Sequence, residues 1–333
     1  MPGSAAPLPA LPTADELLRL RDAIPPGVRF GTSSWTYPGW KGLVYHRDYP
    51  AAGAGADMLE EYARFPLFAT VGIDSSFYGP LSEKMLRRYA DALPPGFPCL
   101  SKVWDRITVH TFAKARDQAR AGQRNPDFLN PEIFLQEVWG PTRTHFAEHQ
   151  GPFIFEFQAI AREDRVGPAD FAERLDRFLG RLPPEGRYAV EVRNPEFLTP
   201  AYFAVLRVHD AAHVMSSWTR MPSIGMQLDL PGSVSAGFLV ARALLRPGRA
   251  YAEAVDAFAP YDRIRDPNPE LRNDLVRLVE TAARLRIPAY LLVNNRAEGS
   301  APLTIAAVTR ILAERRGEEG KREPPFPSDP LPL

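Results

Sequence analysis

The sequence predicts an α/β fold: a (β/α)8 barrel of the TIM type, in a single domain with long βα loops. Three observations predict it. Eight short β-rich runs alternate with helix-period segments, which favours a closed parallel sheet. The 333 residues exceed the roughly 250 such a barrel commonly uses. Charged and aromatic residues gather where the β-rich runs end, and that is where barrels of this type carry function.

The elements follow in order. Residues 1–25 form a tail with a short helix. Residues 1–11 are Pro/Ala-rich, and 13–23 reads as a helix capped by Thr13 with Glu16 three residues on. The barrel spans 26–316. Its strands are expected at 28–32, 70–74, 98–103, 153–157, 188–192, 213–216, 238–241 and 289–293. Helices are expected at 57–64, 82–92, 132–149, 168–180, 200–210, 270–284 and 302–315. Residues 317–333, charged and then proline-rich, read as a disordered tail. Two connections are long. The 104–131 segment holds Lys114 and AGQRNPDFLNPE, and the other runs from 243 to 269; long βα loops act as lids or binding loops.

Composition excludes several classes. Forty acidic residues balance forty basic ones, so no global positive field recruits nucleic acid or a membrane. Cys99 is the one cysteine, which rules out an internal disulfide and a cysteine-based metal site and suits a buried small hydrophobe. No run approaches the ~18 apolar residues of a membrane span. The first residues lack the basic start and apolar block of a secretory signal, so a cytoplasmic location is expected. His145 and His149 sit four apart on an outer helix, where a surface or packing role is expected. No HExxH, Walker A, GxGxxG or serine elbow is present, so neither a metal nor a cofactor is expected.

Alternation along the strands points to the candidate site. In FIFEFQ, Phe153, Phe155 and Phe157 share the face toward the outer helices, leaving Glu156 and Gln158 with Ile154 on the barrel side. In YAVEVR, Glu191 and Arg193 turn inward by the same rule. It also turns Asp74 and Ser76 inward after strand two, Lys102 after strand three, Arg242 after strand seven and Asn294 after strand eight. The proposed mouth therefore holds three acids and three bases, and charges are rarely buried unless paired. Two readings stay open: a self-satisfied ion-pair network closing the barrel, or a substrate pocket with acid/base capability. Trp35, Tyr37, Trp40, Tyr78, Trp104 and Trp218 fall at or beyond strand ends, where they either stack on a sugar or base or plug the barrel top. Asn294, Asn295 and the following EGSAP lead into the last helix. They make an expected anion site at its N-terminus, within reach of Arg242, Arg246 and Arg249.

These residues resemble the YecE-like family (domain of unknown function family 72), a family of TIM-type barrels, from about Phe30 to Ala301. Four segments carry the resemblance: GTSSWTYPGWKGLVY at 31–45; VGIDSSFY at 71–78, followed by Lys102 and by Ile107, Thr108, Val109 and His110; EVRNPEF at 191–197; and NNRAEG at 294–299. The resemblance implies the fold and no settled activity. This chain departs from the family where a Glu is usual and Gly72 stands, and where an Asn is usual and Asp74 stands. It departs again in ARALLRPG, which has Arg242 but lacks the His-Gly that tends to follow two residues later. Any chemistry of those groups is altered or lost here.

The first functional expectation is a metal-independent enzyme, a hydrolase or lyase, acting on a small polar or anionic substrate such as a sugar, sugar phosphate or nucleotide fragment. Glu191 would be the general acid/base, Arg193 and Lys102 would hold an anionic group and tune it, and Glu156 would be the second carboxylate. Carboxylates on adjacent strands can stand about 5–9 Å apart, as in glycosidases, but strand seven ends in Arg242, which disfavours that chemistry. A Schiff base at Lys102 needs a neutral amine, and the nearby acids oppose that. Trp35, Asp74, Tyr78, His110, Arg193, Arg242, Asn294 and Asn295 form the expected binding set. A second expectation, nucleic-acid binding or processing, is disfavoured by zero net charge. The third is a non-catalytic binding or scaffold barrel.

Overall fold

The computed structural model describes residues 11–50, 52–112, 119–246, 248–249 and 251–322. Eight parallel strands close in chain order: β1 (Val28–Thr32), β2 (Thr70–Ile73), β3 (Cys99–Lys102), β4 (Gln150–Phe157), β5 (Tyr188–Val192), β6 (Ala212–Ser217), β7 (Leu239–Ala243) and β8 (Ala289–Val293). Closure falls between the first and last strands, with Val28 opposite Ala289 and Thr32 opposite Val293.

The helices are α1 (Ala14–Asp22), α2 (Gly55–Tyr62), α3 (Glu83–Ala92), α4 (Asp105–Thr108), α5 (Pro131–Ile133), α6 (Gly140–His145), α7 (Pro168–Leu179), α8 (Pro200–Val208), α9 (Ile224–Leu228), α10 (Tyr251–Phe258), α11 (Pro269–Leu285) and α12 (Ala301–Arg322). Their starts follow capping chemistry. The side chains of Thr13, Ser82, Thr199 and Asn268 each accept a hydrogen bond from a backbone N–H two or three residues into the helix. Proline opens α7, α8 and α11, where its missing N–H costs nothing.

Three expectations change. The 132–149 helix is interrupted: Phe134–Trp139 is a π-helical stretch between α5 and α6. Pro141 follows, and a proline cannot donate to the carbonyl four residues back, so the turn before it widens. Because α6 ends at His145, His149 leaves the helix and its Nδ1 lies 3.0 Å from the Phe97 carbonyl. The last helix runs to Arg322, past the expected start of the tail at Gly317. Residues 1–10, Lys114 and 323–333 lie outside the described residues.

The short N-terminal helix is docked rather than loose. Leu17 and Leu20 of α1 are buried, and Arg310 of α12 pairs with Glu16 at 2.7 Å.

Apolar residues form two shells. Between sheet and helices, Phe155 and Phe157 of β4 and Val190 of β5 pack on Phe171, Leu175 and Phe178 of α7, as alternation predicts. Inside the barrel, Leu100, Ile154, Ala189, Val214, Val240 and Leu292 fill a layer across the axis. Cys99 is fully buried, and burial pushes its thiol up, which removes its nucleophilic form.

Candidate functional site

Two residues further along these strands the interior becomes charged. Glu156 and Glu191 are register partners on β4 and β5, so two carboxylates stand one strand spacing apart, roughly 5 Å. Such a pair persists only with cations between. Arg242 supplies one from across the barrel: its Nη1 donates to Glu156 Oε2 at 2.7 Å and to Glu191 Oε2 at 2.6 Å. Its Nη2 donates to both oxygens of Asp74, at 3.0 and 2.9 Å. Arg193 supplies another, with Nη2 3.0 Å from Glu156 Oε2 and 3.2 Å from Glu191 Oε1. Lys102 Nζ lies 2.7 Å from Glu156 Oε2. One oxygen of Glu156 thus meets three cations, while Oε1 accepts from Gln158 at 2.6 Å.

The electrostatics follow from this packing. Burial alone would raise the pKa of Glu156, but Arg193, Lys102 and Arg242 outweigh burial and hold it well below the usual carboxylate range. Burial would also draw the proton off Arg242, and Asp74, Glu191 and Glu156 reverse that, so its guanidinium stays charged. Glu156 is a fixed anion and cannot serve as a general acid near neutrality.

Flanking residues hold the ring in place. Ser76, expected inward, instead shares its one hydroxyl donor between the carbonyls of Ile73 and Lys102, 2.6 and 2.7 Å away, and ties the end of β2 to the end of β3. The Lys102 ammonium lies 4.0 Å from the centre of the Phe77 ring, and the Arg193 guanidinium lies 3.7 Å from that of Trp218. Gly72 sits one step below Asp74. A side chain there would start 3.0 Å from Leu292 Cδ1 and from the Ser33 carbonyl, so the interior is closed around the glycine.

Above the ring opens a cavity of about 490 Å3. Asp74, Lys102, Glu156, Arg193, Arg242 and Asn294 line it, as does Tyr78, which is largely exposed. Gln158 and Leu244 line it too, and both continue the inward alternation of their strands. Phe77, Asp105, Thr111, Phe112 and Arg296 also reach it from the loops; no strand period announces them. A larger groove of about 630 Å3 near Met221 and Leu271 lies away from the charged ring.

Four expected site residues do not line the cavity. Glu191 is fully buried beneath it, with both oxygens taken by arginines. Trp35 is buried, donates its indole N–H to the Gly55 carbonyl at 2.7 Å and meets Tyr89 edge-on. Asn295 starts a 3-10 turn just past β8 and is turned to the packing side; its Oδ1 accepts from Trp40 Nε1 at 3.2 Å and from Ala301 N at 2.8 Å. His110 is buried against Phe128, with Nδ1 2.9 Å from Thr111 Oγ1. Burial lowers its pKa more than Asp164 raises it. Trp40 is likewise buried packing, and Trp104 lies under the Arg106 guanidinium.

The expected anion site at the last helix is closed. Asn295 caps the start of α12, and the Glu298 carboxylate is buried against Asn268 N and Arg272. A side chain at Gly299 would meet the Arg263 carbonyl at 2.6 Å. Arg246 and Arg249 both turn to Asp266 instead. Among the described residues no three His, Cys, Asp or Glu side chains gather as a metal site needs. No helix among them is long and apolar enough to cross a membrane.

Comparison with known proteins gives the fold its relatives. The family described as protein of unknown function DUF72 matches residues 29–329. A DUF72 family protein from Thermotoga maritima superposes with a TM-score of 0.59 at 18% identity, covering 86% of this chain and 98% of its own. One from Enterococcus faecalis gives 0.57 at 15% identity, covering 86% and 95%. At these identities the likeness concerns the fold. No curated protein matches the chain.

Proposed function

Because the chain belongs to the family described as protein of unknown function DUF72, whose description assigns no reaction, we propose a function from the site itself. The protein binds a small polar molecule in the cavity at the C-terminal ends of its strands and acts on it by proton transfer. The observation that carries this reading is the pairing of Asp74 and Lys102. They reach one cavity from adjacent strands, one as an acceptor and one as a donor.

The two have different roles. Asp74 keeps its carboxylate oriented through Arg242 and is the general base. Lys102, paired with Glu156, donates a hydrogen bond or proton to the oxygen that gains charge. Glu156 and Glu191 are positioning residues: they fix the cations on which the ring depends. This moves the acid/base role from Glu191, which has no path to the cavity, to Asp74, which has one. A metal-independent reaction is supported by the charge of the ring, since each carboxylate already carries a Lys or Arg partner that competes with a metal ion.

A thermal-shift screen tests the reading. The probes are sugars, sugar phosphates, nucleotides, carboxylic acids and short DNA, with and without divalent cations. A true ligand raises the unfolding midpoint of the wild type and loses that effect in Asp74→Asn and in Lys102→Ala. Ligands that stabilise both variants equally bind elsewhere and sink the proposal. Stabilisation by DNA alone, falling steeply with salt, would move the protein to nucleic-acid binding.

A further inference from the structure

We infer that the ligand of this cavity is a neutral polyhydroxy compound, a sugar or polyol without a phosphate, which presents hydroxyl donors to Asp74. The inference rests on the reading of the cavity as a ligand site and specifies its occupant.

Exposure within the charged ring is the first ground. The Asp74 side chain is 27% exposed, against 9% for Lys102, 7% for Arg193 and 2% for Arg242. The cations sit behind carboxylates, and what the ring shows to the cavity is chiefly an acceptor. A phosphate entering here meets that carboxylate first, while the cations lie less exposed behind it, Arg242 with both terminal nitrogens on Asp74, Glu156 and Glu191, and Lys102 and Arg193 paired with Glu156. Hydroxyl groups donate to Asp74 without any charge to neutralise.

Balance is the second ground. Three cations and three carboxylates make up the ring, and Arg296 and Asp105 at the rim add one of each. An ionic ligand would bring uncompensated charge into a partly desolvated pocket, while a neutral one does not.

A cationic ligand fails on the third ground. The faces of Phe77 and Trp218 that would attract it already hold Lys102 and Arg193. Tyr78, mostly exposed at the cavity and in edge-to-face contact with Phe77, adds an aromatic surface of the kind on which a sugar ring lies. Finally, the helix start where barrels often bind phosphate is capped by Asn295 and sealed by Glu298.

Calorimetric titration with matched pairs tests this: ribose and ribose 5-phosphate, glucose and glucose 6-phosphate, glycerol and glycerol 3-phosphate. The expected result is that at least one neutral member binds, at least tenfold tighter than its phosphate ester. Asp74→Asn should weaken that binding tenfold or more, and Tyr78→Ala, a change at an exposed ring, severalfold. A phosphate ester binding as tightly as its neutral partner overturns the polyol assignment and leaves the cavity reading standing. So does silence from all three pairs when another probe of the wider screen binds in an Asp74-dependent way. Silence from every probe in both experiments overturns the cavity reading as well.

Discussion

Two layers of the barrel interior lie one step apart on the same strands. Ile154 precedes Glu156, Ala189 precedes Glu191, Val240 precedes Arg242 and Leu292 precedes Asn294, with each pair on one face of its strand. The lower layer is apolar and the upper one charged, and both are buried. Packing in the lower layer is non-directional, so its loss is local and graded. The upper layer is a closed set of directed ion pairs, in which removing one member strands the others. The lower layer stabilises the barrel; the upper one spends stability on holding charged side chains in fixed places.

Arg242→Met should produce the largest effect. It removes the cation shared by Asp74, Glu156 and Glu191, and breaking a buried pair from one side costs about 3–5 kcal/mol. Urea unfolding would read it, and a loss under about 1 kcal/mol would erase the distinction between the layers.

Leu292→Ala leaves a cavity in the lower layer and should cost about 3 kcal/mol. Unlike the first variant, it should cost the same at pH 7 and pH 5; a pH-dependent loss would mean that the layers are coupled.

Acid titration separates them further. The folded pKa of Glu156 lies below its unfolded value near 4.5, so the stability its pairing adds is complete above about pH 5 and drains away as the pH falls toward the folded value. His213, buried and pushed down to about 4 from 6.5, erodes stability earlier, as the pH drops through that interval. Below pH 4 the wild type should therefore lose stability more steeply than Glu156→Gln; equal slopes there would contradict the pinned anion.

Glu191→Gln is the mildest change, keeping the shape and losing charge on two arginine contacts, for about 1.5–3 kcal/mol. Ligand affinity should stay within a few fold. Abolished binding at full stability would return the acid/base role to Glu191.

Much of this was legible in advance. A period of two along β4, β5 and β7 turns Glu156, Glu191 and Arg242 to the axis because one face of each strand must pack on helices. The same rule places Gln158 and Leu244 in the cavity, but not Asn295, which lies in a 3-10 turn past β8. Trp35, Trp40 and Ser76 lie past the strand ends, where the chain turns and parity no longer predicts direction. His110 and Thr111 belong to a loop, and their placement depends on Asp164 and Phe128, contacts distant in sequence. Pattern also could not rank the ring by access: that Asp74 opens to solvent while Glu191 is sealed follows from how far Arg242 reaches across the barrel.

The pairing of β1 with β8 sets a schedule for making the protein. During translation β1 emerges early, and its closing partner is absent until Val293 has left the ribosome. At ~5–20 residues per second that interval is on the order of tens of seconds. One edge of the first strand stays open throughout, a template for wrong partners. Helix α1, tied to α12 through Glu16 and through Asp22, waits equally long. Ribosome-bound chains arrested at residue 285 should therefore be protease-sensitive within α1 and β1, and chains released at residue 333 resistant there.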